Sequence, residues 1–176
     1  LDGVNDYVSI PASDSLTITQ ELTVELWVKA DDADASGAFV EKTKWRLGYN
    51  NGHIYFEYWE ASSPAVYTYI GDSITNWNHI VATVEPPGIF KLYVNGELKK
   101  EKEDTDHYPL KDSSNNPLKL GWTDWSWYIG YGKYWQGKID EVRIYSRALT
   151  PEEIKKHYEE ETLVGNWHLD EGEGTV

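Results

Sequence analysis

The chain has no cysteine. That excludes a disulfide framework, a thiolate zinc site and a cysteine nucleophile, but it does not fix the compartment. Positive charge is also scarce: sixteen Lys and Arg stand against thirty Asp and Glu, for a net charge of −14. Nucleic acid is therefore not an expected partner, because phosphate binding needs a concentrated basic surface. A weakly held cation such as calcium is easier to reconcile with that charge. No run of about 18 apolar residues occurs, so no membrane insertion by a helix is expected. No signal segment is visible either. The chain opens at Leu1-Asp2-Gly3, inside a turn motif, and reads as a piece of something longer. Phenylalanine is rare, three residues against nine Trp and thirteen Tyr. A core can use Phe as readily as Trp, so an excess of rings with polar handles points to aromatics at a wet surface. Large cross-strand pairs in a β-rich domain account for the same excess, and the two readings are compatible.

What is present is a succession of strands and turns in one domain, residues 1–176, long enough for its own core. Residues 21–30 (ELTVELWVKA) alternate, with Leu22, Val24, Leu26 and Val28 on one face and Thr23, Glu25, Trp27 and Lys29 on the other. Asn50-Asn51-Gly52 marks a hairpin between the strands at Trp45–Tyr49 and His53–Trp59. Further strands follow at Val66–Ile70, Asn76–Val84, Phe90–Val94 and Leu118–Leu120, with Glu97–Glu103 as a charged edge. Gly137–Tyr145 is the last strong strand. Its Asp140 sits among apolar neighbours and needs a cation, an arginine or backbone N–H groups as a partner. Thr150-Pro151-Glu152-Glu153 then opens one helix, to about Glu160. Thr150 serves as N-cap, Pro151 suits the first position and Glu153 can close a capping box. Strands at this spacing with one clear helix predict an all-β fold, an antiparallel sandwich with a short C-terminal helix.

Several stretches resemble successive signatures of the laminin-G-like jelly roll, in the concanavalin A-like lectin/glucanase superfamily. They are LDGVNDYV (1–8), LTVELWV (22–28), WNHIVA (77–82), KLYVNG (91–96), GKIDEVRIY (137–145) and RALTPEEI (147–154). The resemblance implies a two-sheet jelly roll and a structural calcium. Asp140 would give a carboxylate, Gly3 a carbonyl, and Asp2, Asn5 or Asp6 the remaining donors. The alternative is an Asx-turn at Asp2–Asp6, with Asp140 bonded to backbone N–H groups. Residues 163–176 resemble the family's first strand yet come last. They either start a second repeat or complete this sheet as a circular permutation. The expectation is that Val164–Leu169 pairs beside Ile139–Tyr145 or Tyr7–Ile10, or passes to a neighbour as a domain-swapped dimer.

No catalytic residue emerges. Catalytic members of the superfamily carry Glu-x-Asp-x-Glu or Glu-x-Asp-x-x-Glu on one strand, and neither pattern is present. Glu57 and Glu60 face opposite ways on a strand, and Glu101 and Glu103 belong to a solvated edge. The five histidines form no Ser-His or His-x-x-His arrangement, and His79 reads as a hydrogen-bonded sandwich residue. The strongest binding signal is a run of rings: Trp122, Trp125, Trp127, Tyr128, Tyr131, Tyr134 and Trp135, with Thr123 and Asp124 among them. Sugars stack their C–H faces on such rings and bond their hydroxyls to nearby polar groups. Trp59, with Trp45, Tyr58, Tyr67 and Tyr69, could extend the platform. The leading expectation is a non-catalytic carbohydrate-binding module of a secreted or cell-surface protein, taking a polysaccharide or glycan. The alternative is a structural or adhesive repeat whose partner is a protein or a tandem neighbour.

Overall fold

The computed structural model describes residues 1–42, 44–60, 63–71, 73–106, 108–110, 115–123 and 134–162, the side chains of 59, 60, 63–70 and 162 excepted. In chain order the strands are β1 (Val8–Ile10), β2 (Leu22–Ala30), β3 (Gly37–Lys42), β4 (Trp45–Asn50), β5 (His53–Glu60) and β6 (Ser63–Gly71). They continue as β7 (Asn78–Glu85), β8 (Ile89–Val94), β9 (Glu97–Glu103), β10 (Leu118–Leu120) and β11 (Gly137–Tyr145), and helix α1 (Pro151–Thr162) follows. One sheet runs β1-β10-β3-β4-β5-β6 and the other β11-β2-β7-β8-β9. Every strand pairing within them is antiparallel, as the turn spacing predicts for a jelly-roll sandwich.

The period-2 pattern of β2 explains which face meets the other sheet. Leu22, Val24, Leu26 and Val28 are all fully buried, packed with Ile80, Ala82 and Val84 of β7 and Phe90 and Leu92 of β8. Phe39, Leu47, Ile54 and Phe56 supply the other half of the core. Each such side chain, once buried, contributes about 1.5–3 kcal/mol. Two hairpin turns fix the registers. Asn51 and Gly52 have φ of 50° and 80°, and Asn95 and Gly96 have 53° and 77°, the left-handed conformations these residues tolerate. At Gly96 an added Cβ would also crowd α1, 3.3 Å from Tyr158 Cδ1 and 3.4 Å from the Cα of Lys155.

The helix begins as its sequence predicts. Thr150 N–H donates to Glu153 Oε2 at 2.9 Å, and Glu153 N–H returns a bond to Thr150 Oγ1 at 3.2 Å. Arg147 then grips Glu153 with two contacts of 2.8 Å, and the Glu153 carboxyl falls to about 2. Ile154, fully buried, packs with Leu149, Val81 and Tyr93 on the outer face of the five-stranded sheet. The polar face of β2 is not a wet face, because α1 covers it and Thr23 and Glu25 are fully buried.

Candidate functional site

On the outer face of the six-stranded sheet, four charged residues stand opposite one another across successive strands. Lys119 of β10 opposes Glu41 of β3, Glu41 opposes Arg46 of β4, and Arg46 opposes Glu57 of β5. The row alternates in sign, which is what lets it be buried at all. Arg46 Nε meets Glu57 Oε2 at 2.5 Å, its Nη1 donates to Thr123 Oγ1 at 3.1 Å, and its guanidinium lies 5.5 Å from the Tyr55 ring centre. Arg46 and Thr123 are fully buried. A hydrolytic pair needs two carboxylates facing one bond at about 5–9.5 Å, with room for water or sugar between them. Here Arg46 occupies the position between Glu41 and Glu57. The row is a support, and through Thr123 it anchors the start of the aromatic run.

At the end of this row lies an aromatic patch. Tyr7, 49% exposed, has its ring centre 5.7 Å from Trp122 and 6.3 Å from Tyr134. Trp122 and Tyr134 are bridged to each other by backbone pairing, and both are half-buried. The Lys119 ammonium sits 3.5 Å from the Trp122 ring centre, a cation–π contact that fixes the indole. Three rings with polar tips and a cation thus share one surface beside β1 and β10. Tyr7 is an addition to the expected set. It directly precedes β1, whose first residue, Val8, is exposed as well.

Other members of the expected platform are elsewhere. Trp135 is fully buried, edge-on to Phe39 at 4.8 Å and to Tyr49 at 6.4 Å, so it closes the core and cannot stack on a sugar. Trp45 and Tyr58 are likewise core residues, facing inward from β4 and β5. The contiguous aromatic run is thus not one surface, since its last ring, just before the turn at Gly137, lies inside. Trp125, Trp127 and Tyr131 lie outside the described residues, as do the side chains of Trp59, Tyr67 and Tyr69.

The expected metal donors are in use locally. Asp2 Oδ1 accepts from Val4 N–H at 2.8 Å and from Asn5 N–H at 3.5 Å, and Asp6 Oδ2 accepts from Asp2 N–H at 3.4 Å. Gly3 turns this loop with φ of 77°. Asp140 is exposed, not lodged among apolar neighbours, and its Oδ1 accepts from Glu141 N–H at 2.9 Å. It sits at a bulge, with Glu141 at φ 49°, where the pairing with β2 slips. The geometry is that of the Asx-turn alternative. Among the described residues no three His, Asp or Glu side chains gather where an ion could be held.

A second buried polar centre lies under α1. Glu25 Oε1 lies 2.8 Å from His79 Nε2 and 3.0 Å from His157 Nδ1, while Tyr145 donates to Oε2 at 3.2 Å. Burial works to raise the Glu25 carboxyl, but hydrogen bonds and charge from His79 and His157 outweigh it, and its pKa lies below the ordinary value. Trp27 lies 5.3 Å from the His79 ring and stacks on Tyr158 of the helix at 5.9 Å. The carboxylate ties helix to sheet. His79 is thus the hydrogen-bonded residue its strand suggested, and Glu25 is the partner that sequence reasoning missed.

Comparison with known proteins agrees with this architecture. Residues 82 long in total, 47% of this chain, are 32% identical to a segment of adhesion G-protein coupled receptor D1 of Bos taurus, covering 8% of that receptor. The chain therefore spans a small part of that relative. Among solved structures, the binding domain of Paraclostridial Mosquitocidal Protein 1 superposes with a TM-score of 0.71 at 17% identity, over 92% of this chain and 42% of that one. The botulinum neurotoxin serotype G binding domain gives 0.71 at 16%, over 91% and 41%. The serotype D ligand binding domain, solved in complex with N-acetylneuraminic acid, gives 0.65 at 19%, over 88% and 40%. At such identities these likenesses establish the fold alone. The model of the concanavalin A-like lectin/glucanases superfamily matches residues 2–155, most of the described sandwich, and the chain belongs to that superfamily.

Proposed function

We propose that this domain is a non-catalytic carbohydrate-binding module of a secreted or cell-surface protein. The observation that carries this reading is the surface patch of exposed Tyr7 with half-buried Trp122 and Tyr134, beside Lys119 at the edge of the sheet. Stacked rings bind the apolar faces of sugars, and the phenol hydroxyls and ammonium can bond their oxygens. Binding partners of the structural relatives agree in kind, since one is a ligand-binding domain seen with a sialic acid. The absence of an open carboxylate pair in the Glu41–Arg46–Glu57 row argues against hydrolysis. The test is a glycan panel read by intrinsic tryptophan fluorescence. A binding glycan should lose about 3- to 10-fold in affinity in Trp122→Ala and in Tyr7→Ala, the size of one stacking contact. Melting temperatures of both variants should stay close to that of the parent.

A structural or adhesive repeat is the second reading, favoured by the partial match to an adhesion receptor. It takes over if no glycan in the panel perturbs the spectrum. Calcium is a separate proposal. The donors do not form an all-side-chain cage, so an ion at Asp140 or at the Asp2–Asp6 turn would draw on Asn5 and on backbone carbonyls.

A further inference from the structure

We propose that the cleft between β2, the bulge of β11 and the last turn of α1 receives a quaternary ammonium group. This cleft of about 280 Å³ is lined by Trp27, Trp77, Asp140, Glu141 and Glu161, and it shares no residue with the Tyr7–Trp122–Tyr134 patch. Trp27 and Asp140 stand directly opposite each other in the β2–β11 register, and Trp77 immediately precedes β7. Trp77 is 41% exposed and Trp27 half-buried. Stacking on Tyr158 of α1 and contact with the His79 ring hold the Trp27 indole, whose Nε1 is buried without a hydrogen bond. Ring packing, not a polar anchor, therefore sets one wall of the cleft, and an exposed indole supplies another. Residues 163–176, expected to complete a sheet, lie outside the described residues.

Charge selects the occupant. Consecutive residues of a regular strand point to opposite sides of its sheet. Asp140 and Glu141 nonetheless line one cleft, because β11 bulges here and Glu141 takes a left-handed φ of 49°. With Glu161 they bring three carboxylates to two indoles. Arg143 offsets one charge, through bonds of 2.7 Å to Glu141 and 2.5 Å to Glu161. A ring-lined cleft with negative charge left over attracts an organic cation through both the ring faces and the carboxylates. The hydrogen-bonding capacity of those carboxylates is partly used, since Arg143 takes two of them and Asp140 Oδ1 accepts from Glu141 N–H at 2.9 Å. A primary ammonium needs three acceptors and a calcium ion about six oxygens. A trimethylated nitrogen needs neither. It brings charge and methyl surface, which is what two indoles and a partly satisfied carboxylate rim can use. Such a group occurs free, as in choline, and as the head group of phosphatidylcholine.

The test is calorimetric titration of the full chain with choline, in excess chelator so that no metal ion neutralises Asp140. Choline should bind about 10-fold more tightly than its uncharged tert-butyl analogue, which has the same shape. Trp77→Ala removes an exposed ring and should weaken choline about 5- to 10-fold, and Asp140→Asn about 3-fold, with melting temperatures close to that of the parent. Trp122→Ala, in the other aromatic patch, should leave choline binding unchanged. Equal binding of choline and its uncharged analogue would overturn the proposal. So would full choline affinity in Trp77→Ala, an equal loss in Trp122→Ala, or no binding at millimolar choline. Phosphatidylcholine vesicles separate the two sources. Co-sedimentation that is lost in Trp77→Ala assigns the lipid head group, and binding of choline without vesicle binding assigns the free amine.

Discussion

The two outer faces of this sandwich both bury charge, but they do so under different covers. Beneath α1, Glu25 is enclosed by His79, His157 and Tyr145, and a helix joined to the sheet by a five-residue turn seals the site. On the opposite face, the Lys119–Glu41–Arg46–Glu57 row runs across four strands and opens at its end onto exposed rings. Buried charge by itself does not distinguish a binding face from a structural one. Access does. The centre under α1 ties the helix to the sheet through a carboxylate that is itself fully buried, while the row also positions groups that a ligand can reach.

Arg46→Met should break the open face most severely. It strips the buried Glu57 carboxylate of its guanidinium and releases Thr123, with an expected loss of about 3–5 kcal/mol in chemical denaturation. Glycan affinity, measured in the folded fraction, should fall with it. Glu25→Gln is the matching test of the sealed face. It keeps a side-chain carbonyl but removes the charge, at an expected cost of about 1–3 kcal/mol. Glycan affinity should be unaffected, and a parallel loss of binding would erase the distinction between the faces.

Acid should act on the same centre. The folded Glu25 carboxyl is depressed, so its stabilisation is fully present above the ordinary carboxyl value of 4.5 and is lost as pH falls through the folded value. Glu153, held at about 2, extends that loss to still lower pH. Thermal melts should therefore drop steadily below about pH 4.5, and Glu25→Gln should flatten the upper part of that slope. The smallest effect is expected from excess chelator. Asp2, Asp6 and Asp140 already accept backbone N–H bonds, so removing the proposed ion should lower the melting temperature by only a few degrees, a shift Asp140→Ala should reproduce. An unchanged melting temperature would overturn the calcium proposal in favour of the Asx-turn.

The sealed face was partly legible in advance. Thr150, Pro151 and Glu153 announced the helix, and His79 was recognised as a bonded residue, but its partner was not, since Glu25 looks like any solvent-side residue of an alternating strand. The open face hid its row for a different reason. Once Asn51-Gly52 fixes the hairpin, Arg46 must oppose Glu57, so that pair could have been found. Glu41 meets Arg46 across the short β3–β4 hairpin, while Lys119 joins only through pairing between strands far apart in sequence.

Sequence alone determined what depends on local periodicity and turn chemistry: the strands, the hairpins at Asn51-Gly52 and Asn95-Gly96, the capping box, the edge character of β9 and the class of sandwich. Those features need only neighbouring residues, so the pattern that encodes them is contiguous. Tertiary structure decided which rings meet water. Trp122 and Trp135 belong to one aromatic run, yet the first stands at the surface under Lys119 and the second is sunk between Phe39 and Tyr49. Burial depends on what other strands and loops cover a residue, and nothing within the run itself carries that information.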